Sequence, residues 1–209
     1  MQWPRKSFAQ MGEDLIIENN LHKYSLSGAS LTYLEVGTNH PCNSNNTFLF
    51  YEQGARGILV EPDKKYWELI NQYRPEDVLI KSCIADYDSD QEDFYLMTAG
   101  SLNTLSKKIA NDYCTNNAMG QQKIEQIIKV SVININKVLA KFNKWPNLIS
   151  IDTEGMDISI LNTINWNKFR SEIVCVESQD NKQNIVTIMR NNGYEILADN
   201  CLNIIFGII

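Results

Sequence analysis

Carboxylates stand where the apolar runs of this chain give way to turns. Glu35 lies in the segment YLEVG at 33–37, and Glu61 follows GILV at 57–60. Asp152 and Glu154 follow LISI at 148–151, and Glu177 follows IVCV at 173–176. A carboxylate accepts several hydrogen bonds at once. It can grip ribose hydroxyls, take the proton of a hydroxyl under attack, or bind a hard divalent cation. Asp152, Glu154 and Glu177 are the candidate catalytic acids. For Asp152 and Asp157 the plainer alternative is capping of the following helix. The chain has two histidines, His22 and His40. That excludes a histidine-rich metal centre, and no metal ligand set is assigned.

The turn after Glu35 reads Gly37-Thr38-Asn39-His40-Pro41-Cys42. A dinucleotide loop carries glycine at its first, third and sixth positions, so that backbone N–H groups approach a pyrophosphate. Here only Gly37 fits; Asn39 and Cys42 hold the other glycine positions, and Pro41 lacks an N–H. The loop is poorly equipped for phosphate. S-adenosylmethionine has none: it offers an adenosine, a sulfonium cation and an amino-acid tail. Glu35 suits the cation. Glu61 comes 26 positions after Glu35, near the ~20-residue offset of a ribose-binding acid. Ile84 and Ala85 offer apolar contact to adenine, with Asp86 beside them. Asn46, in the asparagine-rich turn 43–46, offers an amide to the tail carboxylate. His40 is a further candidate base, with an idle loop histidine as the alternative. A nicotinamide-dependent dehydrogenase ranks behind the methyl-donor reading.

These residues need strands that end together. Residues 31–36, 57–60, 78–85, 148–151 and 173–176 read as strands. Helices are expected at 14–22, 45–53, 64–72, 121–127, 135–142, 156–164 and 181–192, and a closing hairpin at 194–197 and 203–206. Residues 91–97 read as an extra edge strand and 129–133 as another strand. Alternating strands and helices ending in a hairpin predict an α/β fold of Rossmann-like class I methyltransferase type. Its sheet is mostly parallel and seven-stranded, with an antiparallel terminal strand and helices on both faces. Residues 1–209 read as one domain, with 1–30 a helical lead-in. The loosely patterned segment 86–130 reads as a substrate-facing insertion or lid.

A content of 44% hydrophobic and 21% charged residues is that of a globular protein. The net charge of −6 argues against a nucleic-acid partner. The five scattered cysteines suggest reduced core thiols rather than a disulfide frame. No membrane span and no leader segment are visible, so a cytoplasmic location is expected.

Several segments together resemble the FkbM-type methyltransferases, a family of S-adenosylmethionine-dependent enzymes. These are FAQMGED (8–14), YLEVGTN (33–39), SNNTFLFYEQGARGILVEPD (44–63), ISIDTEGMDISIL (149–161) and NNGYEIL (191–197). The chain departs from the family pattern at Ala9, Asn39, Pro41 and Asp157. The resemblance implies that Glu35, Gly37, Asn39 and Glu61 bind the methyl donor. It places Gln10, Asp14, Asp152, Glu154 and Glu177 around the same site. Thr38 and Pro62 complete the expected donor-binding set. The expected reaction is O-methylation of a small-molecule or glycan hydroxyl. The alternatives are N-methylation of a peptide or amide and a non-catalytic partner subunit.

Overall fold

Residues alternating along the central strands face opposite ways, and here both faces are apolar. Leu34 and Val36 look to one side, and Tyr33 to the other. Such strands belong in a sheet covered on both sides. The computed structural model describes residues 6–116, 120–178 and 181–209. Among them seven strands form the main sheet: β1 (Thr32–Val36), β2 (Arg56–Val60), β3 (Val78–Ile80), β7 (Leu148–Ile151), β8 (Ile173–Glu177), β9 (Tyr194–Asp199) and β10 (Asn203–Ile208). Their order is β3-β2-β1-β7-β8-β10-β9. All neighbours run parallel except β10, which is antiparallel to both β8 and β9. This is the Rossmann-like methyltransferase topology expected from the strand and helix pattern.

One face of the sheet is packed by Ile17 and Leu21 of α1 (Glu13–Leu21), Phe50 of α2 (Phe48–Glu52) and Ile70 of α3 (Trp67–Tyr73). The other is packed by α5 (Ile135–Leu139), α6 (Asp157–Thr163) and α7 (Lys182–Asn191). The strand order reverses between β1 and β7, the crevice where open α/β sheets bind ligands.

Four sequence expectations change. The strand expected at 78–85 is two strands. β3 stays in the main sheet, while β4 (Cys83–Ala85) pairs with β6 (Ile124–Asn134) in a second sheet of order β4-β6-β5, with β5 at Ser89–Met97. The helix expected at 121–127 is the start of β6. Ile124 and Ile127 have helical spacing, but their β-branched surroundings pair with β5, and pairing decides. The segment 100–118 contains a helix, α4 (Lys107–Thr115), capped by Ser106, whose hydroxyl accepts from Ile109 N. Residues 117 and 118 lie outside the described residues. Helix 45–53 is shortened to α2, because Asn45 caps the turn instead: its Oδ1 accepts from Thr47 N and Phe48 N at 3.1 and 2.8 Å. No helix among the described residues is long and apolar enough to cross a membrane.

Candidate functional site

The carboxyl ends of β1, β2 and β7 open into a cavity of about 390 Å³, within the range of small-molecule sites. Glycine is needed at its floor. Gly37 has φ +83°, and a Cβ there would lie 1.8 Å from the carbonyl oxygen of Asp152. The backbones of the β1 and β7 turns touch at this point. Gly37 N and Thr38 N both donate to Val60 O, which ties the turn to β2 as well. Asn39 then takes a left-handed conformation, φ +51°, which asparagine tolerates better than most residues. That turns its N–H onto Glu61 Oε2 at 2.6 Å, while Asp63 N donates to Glu61 Oε1 at 2.7 Å. Two backbone donors thus orient a buried carboxylate in the cavity wall, each oxygen keeping a further lone pair. Burial, against those hydrogen bonds, pushes Glu61 up to about 7. An unfolded glutamate ionises near ~4.3, so folding is destabilised by this group as pH rises between those values.

Glu35, Gly37, Thr38, Asn39, Asn46, Glu61, Pro62, Ile84, Asp152, Glu154 and Gln10 all line the cavity. Asn46 Nδ2 also reaches Ser150 Oγ at 3.1 Å. Cys83, Phe94, Leu105 and Met156 add an apolar wall that sequence reasoning did not assign. Phe94 and Leu105 come from the segment 86–130, so that segment does reach the site.

Three expected site residues lie outside the lining. Asp14 is buried, and its carboxylate is occupied by Ser7 Oγ at 2.6 Å, Phe8 N at 2.7 Å and Ala9 N at 3.4 Å. It clamps the lead-in and does not face the cavity. Ala85 is buried among Phe94, Val130 and Val132 of the second sheet. Glu177 stands behind Asp152 and hydrogen bonds to it side chain to side chain. Glu35 lines the cavity, but its Oε2 is already held by Asn45 Nδ2 at 2.9 Å, Thr47 Oγ1 at 3.1 Å and Arg74 Nη1 at 3.4 Å. The expectation that Glu35 presents a free charge to a cation is corrected accordingly: its charge is paired with Arg74.

Arg74 was missed because YRPED reads as a surface turn. It is 1% exposed. Its Nε donates to Asp77 Oδ2 at 2.8 Å, Nη2 to Thr47 Oγ1 at 2.8 Å and Nη1 to Asn45 Oδ1 at 3.1 Å. Tyr33 OH and Gly57 N complete Asp77 at 2.6 and 2.7 Å. This network underpins the β1 turn. Removing one partner of a buried ion pair strands the others, at about 3–5 kcal/mol. Arg74→Met should therefore lower the melting temperature by roughly 6–20 °C; a fall under about 3 °C by calorimetry would contradict the assignment.

Glu13 lies within the FAQMGED segment but was given no role of its own. Its Oε1 accepts from Asn200 Nδ2 and Asn203 Nδ2 at 2.7 and 2.8 Å, joining the lead-in to the β9–β10 turn.

At the β7 end, Asp152, Glu154 and Glu177 bring carboxylate oxygens within 4.8 Å of one another. Burial, and then the charge of Asp157, raise Asp152 to about 7. Burial and the facing charges of Asp152, Glu154 and Asp157 hold Glu177 far above the usual range, so it keeps its proton and donates to Asp152. Asp157 serves the turn: it accepts from Thr153 N at 3.0 Å, Thr153 Oγ1 at 2.9 Å and Gly155 N at 3.2 Å. The capping alternative is not what the structure has: α6 carries no side-chain cap at its N-terminus, and Asp157 holds the turn that precedes it. Glu154 is buried with φ +52°. Its backbone oxygen accepts from Thr104 Oγ1 at 2.7 Å, and its carboxylate from Tyr113 of α4.

The cavity fits an adenosine with a polar tail. It offers a buried carboxylate whose two oxygens are each held by a backbone N–H, an apolar wall from Pro62, Cys83 and Ile84, and a rim of neutral amides. Comparison with curated proteins returns no match. Similar solved structures are methyltransferases. One is a precorrin-6y C5,15-methyltransferase from Geobacter metallireducens, 12% identical, covering 97% of this chain and 91% of that chain at TM-score 0.48. A TehB-like SAM-dependent methyltransferase from Corynebacterium glutamicum is 9% identical, with 94% and 87% covered at TM-score 0.47. A 1,6-didemethyltoxoflavin-N1-methyltransferase from Burkholderia thailandensis, solved with bound 1,6-didemethyltoxoflavin and S-adenosylhomocysteine, is 8% identical, with 93% and 77% covered at TM-score 0.41. The assignment itself rests on the sequence, because the model of the methyltransferase FkbM domain matches residues 35–196. That match takes in the β1 turn, Glu61, the β7 acids and Glu177, and by it the chain belongs to the FkbM family of S-adenosylmethionine-dependent methyltransferases.

Proposed function

We propose that this enzyme methylates a hydroxyl of a sugar or other small alcohol. The observation that carries the reading is one cavity with an oriented carboxylate at the β2 end and an acid cluster at the β7 end. Bound there, S-adenosylmethionine supplies an electrophilic methyl group on a sulfonium. The chain's own residues do the rest. Glu61 accepts from the ribose hydroxyls, Gly37 lets the β1 and β7 turns close against each other, and Asp152 accepts the proton of the attacking hydroxyl. An alcohol is a weak acid, so its oxygen needs such an acceptor as its bond to carbon forms. An acid raised to about 7 by burial is ionised enough to accept and basic enough to help.

The test is incubation with S-adenosylmethionine and a panel of sugars, small alcohols, peptides and amides, read by product mass spectrometry. A methyl ether supports the proposal. A methylated nitrogen overturns it in favour of peptide or amide methylation. Donor binding without any product points to a non-catalytic subunit.

Glu61→Ala should weaken donor binding by ~10²–10³-fold, the loss of two hydrogen bonds to a charged acceptor. In the wild type, affinity should rise with pH through about 7 as Glu61 ionises. Calorimetric titration between pH 5.5 and 8.5 checks both; unchanged affinity in a folded variant would refute the ribose role.

A further inference from the structure

α4 belongs to the segment 86–130, yet it meets the β7 turn. Just ahead of it, Thr104 is tied to β5: Tyr95 N donates to Thr104 O at 2.9 Å and Thr104 N to Tyr95 O at 3.2 Å. From there its Oγ1 donates to Glu154 O at 2.7 Å. Ile109 and Tyr113 are four positions apart and share one face of α4. Ile109 lies so close to Gly155 that a Cβ there would stand 2.1 Å from its Cδ1. Tyr113 donates its phenol hydrogen to Glu154 Oε2. Thr104, Ile109 and Tyr113 therefore close on two consecutive residues, Glu154 and Gly155, with φ of +52° and +117°. Glutamate seldom adopts a positive φ, and these contacts hold it there.

The carboxyl groups at the β7 end explain why a hydroxyl is needed. Asp152, Glu154 and Glu177 bring oxygens within 4.8 Å of one another. Like charges at that spacing repel, so each needs a donor to fix its direction. Glu177 keeps its proton and donates it to Asp152. Glu154 takes a donor from outside the cluster, from Tyr113. An O–H group donating to an ionised carboxylate makes one of the stronger hydrogen bonds. Glu154 lines the cavity and Tyr113 stands outside the lining. Whatever the phenol does to a bound ligand, it does through Glu154. With Glu35 paired to Arg74 and Glu61 given to the ribose, the lining acids left to face a cationic group are Asp152 and Glu154.

Building on the donor reading above, we propose that Tyr113 is a positioning residue: its hydroxyl holds the Glu154 carboxylate toward the place of the transferable methyl, so that a helix of the segment 86–130 sets the negative field there. The site then favours a cation over a neutral group at that place, and Tyr113 contributes to this preference only through Glu154.

Two ligands read the field without any acceptor. S-adenosylhomocysteine has a neutral sulfur. Sinefungin has the same nucleoside and tail, with a carbon bearing an ammonium in place of the sulfur and its methyl. Both are titrated by calorimetry at neutral pH into wild type, Tyr113→Phe, Glu154→Gln and the double variant. Glu154→Gln should lower the preference for sinefungin over S-adenosylhomocysteine by ~10-fold. Tyr113→Phe should lower it by at least about threefold in the same direction. In the Glu154→Gln background it should change the preference by less than about twofold, because the partner through which it acts is gone. A role confined to holding the fold would weaken both ligands equally, which overturns the proposal. So do an unchanged or increased preference in either single variant, and losses that simply add in the double variant. The melting temperature of Tyr113→Phe should fall by less than about 10 °C, the loss of one hydrogen bond to a charged group; a larger fall, or failure to fold, assigns the bond to stability and overturns the proposal. If the wild type binds neither ligand, the donor reading fails together with it. If it binds both and the preference is insensitive to Tyr113, the donor reading stands alone.

Discussion

Asp152→Asn should reduce turnover by ~10²–10⁴-fold, the usual range for loss of a positioned proton acceptor. Donor affinity should stay within a few-fold of wild type. Asparagine keeps the shape of the side chain but has no basic oxygen. In the wild type the rate should rise with pH through about 7, because burial and the neighbouring Asp157 hold Asp152 protonated below that value. The variant should lose this limb. Glu177 makes the prediction sharper. Its retained proton donates to Asp152, so one face of the Asp152 carboxylate is held and the other is left to the cavity. Turnover within threefold of wild type, measured on the acceptor identified by mass spectrometry, would remove Asp152 from the mechanism. Glu154→Gln, which spares Asp152, then asks whether the acid bonded to Tyr113 is the acceptor instead.

Gly37→Ala should leave no soluble folded protein. The new methyl would sit 1.8 Å from Asp152 O, far inside any carbon–oxygen contact. Neither backbone can retreat: Asp152 N donates to Val36 O at 3.0 Å and Gly37 N to Val60 O at 3.1 Å, so three adjacent strands would have to part. Gly12→Ala is the control. Gly12 has the same φ of +83°, yet nothing lies within 4 Å of its Cβ position. It should cost only the left-handed penalty of about 1–2 kcal/mol. If Gly37→Ala is recovered with a melting temperature like that of Gly12→Ala, the close approach of the two turns is wrong.

The strands of the main sheet were legible because they are short apolar runs bounded by glycine, proline or an acid, and all but β3 lie within a residue or two of their expected places. Glu61, Asp152 and Glu154 were legible for the same reason: a strand's end is a local feature, and a parallel sheet sends all such ends to one edge. Arg74, Glu13 and Tyr113 were not. Each sits in a polar stretch, and each acquires its role from a partner remote in sequence, such as Glu35, Asn203 or Glu154. The second sheet was legible only in part: strands were expected at 91–97 and 129–133, which fall in β5 and β6. Residues 121–127 suit a helix by spacing, and only pairing of β6 with β5 makes 124–127 a strand.

Asp14 and Glu35 show the converse. Asp14 was assigned to the methyl donor because the family resemblance implies it, and Glu35 because an acid at a strand end suits a cation. The structure occupies the first with backbone N–H groups of the lead-in and the second with Arg74. The amino-acid sequence by itself determined the architecture, the family and the edge of the sheet where chemistry is found, since periodicity and turn residues act over a few positions. Tertiary structure alone decided which carboxylates are consumed in holding the site together and which face the cavity. A charge's role depends on what is buried beside it, and in this fold those neighbours come from distant parts of the chain.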